Sequence, residues 1–596
     1  MKIRTILPLA GLLYMLQACD PTDKDVFNVI PEETVWSNNQ LALGALANLY
    51  QQLPAEAFST QGMQITDEAM WGGIGDGMNT TTDIPTNTYE YWGYGFLRDI
   101  HLFIDKTNKA TALKDDFKKQ IVAEARFLRA YFYFEEVKRM GGVPLIKEVL
   151  NYNTIADIPN LQLPRAKEDE VYDFVIFELD AILPDLPPDA GIKGRASKWA
   201  ALVLKCRAAL YAGSIAKYNN LQPAPIKLPG GEVGIPAEKS KPYYQTALTA
   251  AQAIISGGVF AITTDYFSIF NQNKTNPEMI MAVLYSLPNK RHGFTADNST
   301  PSARESSDGD AGRINPVFEL ANTYDNLDGT STGLTLSNTD GDPLYFDNPQ
   351  DLFANKDNRL AATILYGGQD FRGKRVDLQA GLARWNTTTS SYDIVSSPTL
   401  GAKSDDGYQI TGFDGPNNLT SVSNSGLYIR KFMSTTLGAG QLSTLADNWW
   451  PLFRYAEVLL NAAEAAMELG QQEDAKTYIN ELRSKHGGIT TPLTTLSWAK
   501  YVNERRIELA FEGHRYWDLK RWRTADAVLN GTNKLTGLYP YRVFRPGHPT
   551  HQKWFYKRVA PVRLTQAKRF IKENYYTFIP QGAINNNPKL VKNPGQ

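Results

Sequence analysis

The sequence predicts a mostly α-helical protein in which helical hairpins form a scaffold and a loop-rich region carries short strands. Three observations lead to this fold class. Apolar residues recur at helical spacing in the first half of the chain, and they do so again after residue 447. Between these stretches, from 287 to 446, Gly, Asn, Ser, Thr and Asp dominate and no apolar stripe persists, which is typical of loops with short strands.

The helices of the first half are recognised by their apolar stripes and their ends. The stripe over 118–140 contains Ile121, Leu128 and Phe132 and stops at the sequence GGVP at 141–144, a pattern that ends helices. Three more helices are predicted over 171–182, from an N-cap at Ser197 to Gly213, and over 243–256.

The second helical stretch begins near residue 455. A helix that ends at Leu469 and Gly470 is followed at once by another, which contains Ala475 and Leu482. Such a pair looks like a tetratricopeptide hairpin, but no clean period of about 34 residues is present, so any repeats are degenerate.

The domain organisation follows from these stretches. We expect a lipoprotein signal peptide over 1–18, a helical domain over 19–286 and a second domain over 287–596. The second domain comprises the loop-rich region 287–446, a helical part 447–523 and a Pro-rich tail that is expected to be irregular.

The N-terminus combines a charged start with a short apolar run. Lys2 and Arg4 precede the run 6–16, which is shorter than the roughly 20 residues that a transmembrane helix needs. The sequence LQAC at 16–19 resembles a bacterial lipobox. It predicts a diacylglycerol thioether on Cys19, an acylated new N-terminus and anchoring in a membrane, because each buried methylene contributes about 0.8 kcal/mol. Secretion with a free Cys19 is the alternative.

Composition excludes several classes of partner and chemistry. Lys+Arg 62 against Asp+Glu 63 leaves a net charge of -1, so no global basic field exists to hold nucleic acid. Cys206, one of 2 Cys, lies in an apolar run and is expected to be a buried hydrophobe. No metal-ligand spacing and no nucleotide or nucleophile motif occurs in the sequence, so we predict no cofactor, no metal site and no catalytic residue.

Six sequence motifs stand in a fixed order behind the lipobox. They are EARFLRAY at 124–131 with GGVPL at 141–145, GRASKWAA at 194–201, NKDNRL at 355–360, RYAEVLL at 454–460, NERRIELAFEGHR at 503–515, and FIP at 578–580 with NPG at 593–595. Together they resemble the SusD/RagB family of outer-membrane nutrient-binding lipoproteins over nearly the whole chain. Lys356 stands where that family more often has Arg.

The resemblance implies a tetratricopeptide-containing scaffold on the outer membrane, lipid-anchored and facing the cell exterior. It implies a partner, a TonB-dependent transporter of the SusC type, over whose mouth the protein sits. The implied cargo is an oligosaccharide, although some relatives take peptides.

The charged motif at 503–515 is interpreted as structural. Its acidic and basic residues alternate at helical spacing, so we expect them to form ion pairs that tie helices together. The ligand-binding residues must therefore be sought in loops. One candidate region contains Asp67, Glu68 and Trp71, followed by Tyr89; the other contains Tyr285, Arg291 and Phe294, with Trp385 further on.

Four functions are consistent with the sequence. Glycan capture for a transporter comes first, and peptide capture by the same fold is the nearest alternative. A surface glycosidase would need two carboxylates about 5–10 Å apart in a cleft. A tetratricopeptide assembly scaffold without a small ligand is the last.

Overall fold

The computed structural model describes residues 32–72, 83–271, 273–306, 312–417, 421–531, 535–561 and 568–596. It confirms the mostly helical fold class. The longer helices are α1 (Asn39–Gln51), α2 (Tyr94–Lys109), α3 (Asp115–Met140), α4 (Glu168–Ile182), α5 (Lys198–Tyr218), α6 (Ser240–Gly257), α7 (Tyr455–Glu468), α8 (Gln472–Lys485), α9 (Trp498–Glu508) and α10 (Arg515–Arg521). Short helices span Glu32–Val35, Thr60–Gln64, Ile158–Leu161, Ser268–Asn271, Phe294–Asn298, Phe318–Ala321, Asn358–Thr363, Ala525–Leu529 and Gln581–Asn586.

Helices that follow one another in the chain pack side by side. α2 packs on α3, α3 on α4, α5 on α6 and α7 on α8, while α6 also packs on α7 and so joins the two halves of the sequence. This row of helical hairpins matches the degenerate tetratricopeptide scaffold that the sequence predicts. Its core contains most residues of α3 and α5, including Cys206, which is fully buried as expected.

The predicted helix from Ser197 is longer than expected. The Ser197 hydroxyl accepts from the Ala200 amide at 3.3 Å, which confirms the N-cap. The helix does not end at Gly213, however, but continues to Tyr218. Gly213 is a packing position: a Cβ there would lie 3.2 Å from the Ser240 carbonyl oxygen at the start of α6.

α5 is the one helix in the described part of the chain that is long and apolar enough to cross a membrane by composition. Of its most apolar 18-residue window, 89% is buried inside the protein. Its apolar surface is therefore explained by packing against its neighbours in the scaffold.

The strands lie mostly in the loop-rich region. They are β1 (Ala69–Trp71), β2 (Met279–Val283), β3 (Ile314–Pro316), β4 (Ile364–Leu365), β5 (Asp370–Phe371), β6 (Lys374–Arg375), β7 (Gly381–Asn386), β8 (Ser391–Val395), β9 (Tyr428–Ile429), β10 (Trp450–Arg454), β11 (Gly537–Phe544) and β12 (Trp554–Val559). Pairs β1–β3, β2–β10, β4–β9 and β5–β6 form two-stranded sheets, and one four-stranded sheet has the order β12-β11-β7-β8.

The tail after Trp522 corrects the expectation of an irregular segment. It contains β11 and β12, an antiparallel pair, and β11 also pairs in parallel with β7. Pro540 inside β11 hides the strand in the sequence, because proline usually interrupts a ladder. Here its carbonyl oxygen accepts from the Ala380 amide at 2.8 Å, so the strand keeps its pairing on that side.

Candidate functional site

The charged motif at 503–515 forms part of a buried ion-pair network. The Glu508 carboxylate contacts Arg454 at 2.7 Å, Arg359 at 2.9 Å and His486 at 2.9 Å, and all four side chains are at most 2% exposed. These partners lie on β10, on the segment 358–363 and after α8. The network confirms the structural interpretation of the motif, because its carboxylates are occupied in joining separate elements.

His486 sits between two carboxylates of this network. Its Nε2 atom lies 2.7 Å from Glu278 and its Nδ1 atom 2.9 Å from Glu508. Burial alone would lower the imidazole pKa, but these two charges outweigh burial and raise the pKa of His486 to about 9. The imidazolium is thus a structural cation.

Asp67 and Glu68 do not line an open loop. The Asp67 carboxylate forms a bidentate pair with Arg515 at 2.8 and 2.9 Å and lies 3.0 Å from Arg506. Burial acts to raise the pKa of Asp67, and the two guanidinium groups hold it well below its usual range. Glu68 is 3% exposed, and burial, followed by the Asp67 charge, raises its pKa to about 7. Both carboxylates are therefore part of the protein interior and do not belong to the candidate site.

Trp71 is the last residue of strand β1. β1 pairs with β3, so that Trp71 lies opposite Ile314. The indole ring is half-buried, and the Arg313 guanidinium lies 5.8 Å from its centroid. Arg313 in turn pairs with Asp297 at 3.0 Å. An aromatic ring is thus placed beside a charged donor and a carboxylate, the three kinds of group that contact sugar rings and hydroxyls.

Three loops meet around Trp71 and hold it in place. The Gly72 amide donates to the Arg313 carbonyl at 2.9 Å, and the Asn424 side chain donates to the Gly72 carbonyl at 3.1 Å. The Asn424 amide donates to the Asn315 side chain at 2.8 Å. A Cβ on Gly72 would lie 2.0 Å from the Gly312 carbonyl oxygen, so this approach requires glycine. We call Trp71, Arg313, Asp297, Asn315 and Asn424 the Trp71 site.

A buried carboxylate stabilises the loops behind the Trp71 site. Asp414 accepts from the Ser302 amide and hydroxyl at 2.8 Å and from the Asp377 amide at 3.0 Å. Burial raises the pKa of Asp414. The Tyr428 hydroxyl donates to the Asp414 carbonyl at 3.1 Å and accepts from the Ser423 amide at 2.8 Å. These contacts fix loops that have little regular secondary structure.

The remaining candidate residues make other contacts. Tyr89 packs against Tyr516 and Trp517, with ring centroids 5.2 Å apart in both cases. Phe294 is 3% exposed and belongs to an aromatic cluster around Phe58. The side chains of Tyr89 and Phe294 therefore pack in the hydrophobic core.

Tyr285 and Arg291 lie on the hairpin that follows β2. Arg291 is exposed and donates to the Ser443 carbonyl. Tyr285 borders a pocket of about 670 Å³ whose other lining side chains are mainly aliphatic, including Leu43, Leu46, Ala47, Leu53, Met281 and Leu284. The Tyr50 hydroxyl and Arg195 in its wall are both engaged by Glu124, at 2.9 Å each. The pocket therefore offers few donors to a ligand rich in hydroxyl groups.

Trp385 lies on β7 in the four-stranded sheet, opposite Tyr392 on β8. The site residues that sequence reasoning misses are Asp297, Arg313, Asn315 and Asn424. No local pattern marks them, since Asn424 is 352 positions from the glycine that it contacts. The side chains described in the structure include no group of three or more His, Cys, Asp or Glu that could hold a metal ion.

Comparison with known proteins identifies the fold. A SusD-like protein of Formosa agariphila, P25, is 22% identical over 586 residues, covering 92% of this chain and 96% of the relative. A SusD-like carbohydrate-binding protein of Bacteroides fragilis superposes with a TM-score of 0.67 at 22% identity, over 94% of this chain and all of the other. A laminarin-binding SusD-like protein gives a TM-score of 0.59 at 18% identity, over 94% and 100%.

Family models match both halves of the sequence. Residues 26–210 match a family described as starch-binding and associating with the outer membrane. Residues 277–595, more than half of the chain, match the SusD family model. This match, together with the ordered motifs and the helical scaffold, establishes that the chain belongs to the SusD family.

Proposed function

We propose that this protein is a non-catalytic, glycan-binding lipoprotein of the outer membrane. In this proposal Cys19, which lies outside the described residues, carries the acyl anchor and the protein faces the cell exterior. The Trp71 site captures an oligosaccharide, which then passes to a TonB-dependent transporter of the SusC type. The observation that carries the proposal is the half-buried Trp71 ring with Arg313 and Asp297 beside it.

The chemistry of the Trp71 site suits a sugar. One face of a pyranose is apolar and stacks on an aromatic ring, while its equatorial hydroxyls need both donors and acceptors. Arg313 supplies donors and Asp297 an acceptor, and the three loops fix their positions. Several SusD-family relatives with the same fold are described as glycan binders, which supports a glycan over a peptide.

The absence of catalysis is part of the proposal. The carboxylates of Glu504, Glu508 and Glu512 are buried and neutralised by arginines and a lysine. Catalytic carboxylates must reach a substrate, so this network supports a structural role for its charges.

Replacing Trp71 by Ala is expected to weaken glycan binding about 3- to 10-fold, because a stacked ring contributes about 0.5–1.5 kcal/mol beyond its buried area. The measurement is calorimetric titration with the best ligand from a panel of neutral oligosaccharides that includes laminarin and starch fragments. The melting temperature is expected to change little, since the ring is only half-buried.

Trp450→Ala is the matched control for Trp71→Ala. Trp450 is 5% exposed and stacks on Phe432 at 4.7 Å, so its loss is expected to cost about 3–5 kcal/mol of stability. Its folded fraction should bind the glycan as the unaltered protein does. Unchanged affinity in Trp71→Ala, or the same loss of affinity in both variants, would argue against a ligand platform at Trp71.

Cys19→Ala is expected to release the protein from the membrane fraction, since it removes the only predicted acylation site. Mass spectrometry of the unaltered protein should find an N-terminal lipopeptide that begins at Cys19. Cys206→Ala, at the buried cysteine, is the control and should remain membrane-bound. A Cys19→Ala protein that stays in the membrane fraction contradicts the lipid anchor.

A further inference from the structure

The four-stranded sheet presents an aromatic face, one end of which touches the Trp71 site, since the Tyr539 hydroxyl donates to the Asn424 carbonyl at 2.9 Å. Side chains alternate across a strand, so Trp385 on β7, Tyr392 on β8, Tyr539 and Tyr541 on β11, and Phe555 on β12 lie on the same face. Trp385 and Tyr392 are opposite each other with ring centroids 5.1 Å apart. Trp385, Tyr392 and Tyr539 are half-buried, so parts of these rings reach solvent. We call these five residues the aromatic sheet face.

An arginine lies flat on one end of this face. The guanidinium carbon of Arg545 is 3.6 Å from the Trp385 ring centroid, which is stacking distance. Its backbone amide donates to His551 at 3.1 Å, but within the described ranges the Arg545 guanidinium has no ion pair and no hydrogen bond. Stacking occupies the flat surface of a guanidinium and leaves its in-plane N–H groups available.

A chain of polar groups begins at Tyr392, whose ring packs against the Trp385 ring that carries Arg545. The Tyr392 hydroxyl lies 3.2 Å from the Thr550 hydroxyl, which lies 2.8 Å from His548 Nδ1. A second cation, Lys557, stands on the same face opposite Tyr539, is exposed, and forms no ion pair with any residue that the structure describes. The face thus has two cations without carboxylate partners, and hydroxyl groups between aromatic rings.

The other face of the same sheet carries a stacked arginine that does have a carboxylate partner. There Arg384 stacks on Phe544 with its guanidinium carbon 4.3 Å from the ring centroid, as Arg545 does on Trp385. Arg384, however, also pairs with Asp406 at 2.7 Å. The guanidinium of Arg384 thus has both an aromatic ring and a carboxylate as partners. The guanidinium of Arg545 has the aromatic ring but no carboxylate partner among the described residues.

Arg545 lies at the end of the sheet that is away from the Trp71 site. The start of β11 touches the loop of that site, where the Leu538 amide donates to the Ser425 carbonyl at 2.8 Å. Arg545 follows the opposite end of the strand. At about 3.3 Å per residue, roughly 23 Å of extended chain separate Leu538 from Arg545. A ligand at Arg545 therefore does not share the contacts of a sugar at Trp71.

We propose that Arg545, held flat by Trp385, is the anion-recognition point of a second glycan-binding site. The ligand is an acidic sugar that carries a carboxylate or a sulfate ester, because both groups accept two parallel N–H bonds from a guanidinium. Tyr392 and Thr550 contact its hydroxyl groups, and Lys557 attracts a second charge along the same chain. That the anion belongs to a sugar rests on the proposed function; the anion site itself does not.

The test compares each acidic probe with a neutral partner of the same backbone. Oligogalacturonate and its methyl ester test the carboxylate, and dextran sulfate and dextran oligosaccharides test the sulfate. Each is titrated against the unaltered protein and Arg545→Gln. Arg375→Gln, which removes an exposed arginine on β6 that has no ion pair within the described residues, is the control for net charge.

Arg545→Gln is expected to weaken binding of at least one acidic probe about 10-fold, because a charge-assisted bidentate pair is lost. The acid that responds identifies the source of the charge. Neutral partners, and Arg375→Gln with every probe, should change by less than about 2-fold. If Arg545→Gln melts early, Arg545→Lys replaces it and should lose several-fold, because an ammonium group cannot pair bidentately.

The proposal is overturned if the unaltered protein binds neither acidic probe, if Arg545→Gln or its Lys replacement binds them with full affinity, or if Arg375→Gln loses as much. These results are separable from failure of the Trp71 site. The panel of neutral oligosaccharides tests that site, and its outcome does not depend on Arg545.

Discussion

Replacing Arg454 by Met is expected to destabilise the protein by about 3–5 kcal/mol, the cost of leaving buried charges without their partner. Arg454 contacts Glu508 at 2.7 Å and Glu512 at 2.6 Å, and its side chain is 2% exposed. Met fills a similar volume but donates no hydrogen bond. The two carboxylates would then have to be protonated or remain partly unpaired in the core.

Chemical denaturation followed by circular dichroism measures this effect. Arg558→Met is the matched control, since Arg558 is half exposed and pairs with Glu319 at 2.8 Å at the surface. Surface pairs contribute about 0–1 kcal/mol, so the control should change stability little. Equal effects of the two substitutions would show that the network around Glu508 does not hold the helices together.

The free energy of unfolding is expected to depend strongly on pH because of His486. Its folded pKa of about 9 lies above the usual value of 6.5. A raised pKa means that the folded state binds the proton more tightly, so the stabilisation is complete below pH 6.5 and is lost as the pH rises through 9. The difference of about 2.5 units corresponds to about 3 kcal/mol.

The difference in unfolding free energy between the unaltered protein and His486→Gln isolates this contribution, because other titrating groups cancel. That difference is expected to be about 3 kcal/mol larger at pH 6 than above pH 9.5. A difference that stays constant across this range would show that the imidazole is not held as a cation between Glu278 and Glu508.

The sequence predicts the helices well because their signals are local. Apolar spacing marks α3, and a serine marks the start of α5. The end of α5 was predicted wrongly because Gly213 is a contact for α6, and a glycine that permits close packing looks the same in sequence as one that ends a helix. β11 is not predicted for a similar reason. A proline in the sequence usually indicates an interrupted strand, but the Pro540 carbonyl still accepts a hydrogen bond from the neighbouring strand side.

The candidate site is less accessible to prediction because its contacts are distant in sequence. Asp67 looked available for a ligand, yet its partner Arg515 lies 448 positions away. Trp71 stays a prediction, and its neighbours Arg313 and Asn424 become visible only once β1 pairs with β3. Local patterns identify residue types, whereas long-range pairing decides which of them remain for a ligand.

The most direct test of glycan capture without catalysis is a titration of the unaltered full chain against two panels, neutral oligosaccharides and oligopeptides, followed by analysis of each mixture for cleavage products. We predict saturable binding of at least one oligosaccharide, which is recovered intact, no saturable binding of peptides, and weaker oligosaccharide binding by Trp71→Ala. Saturable binding of peptides alone, or release of new reducing ends by the protein, would contradict the proposed function.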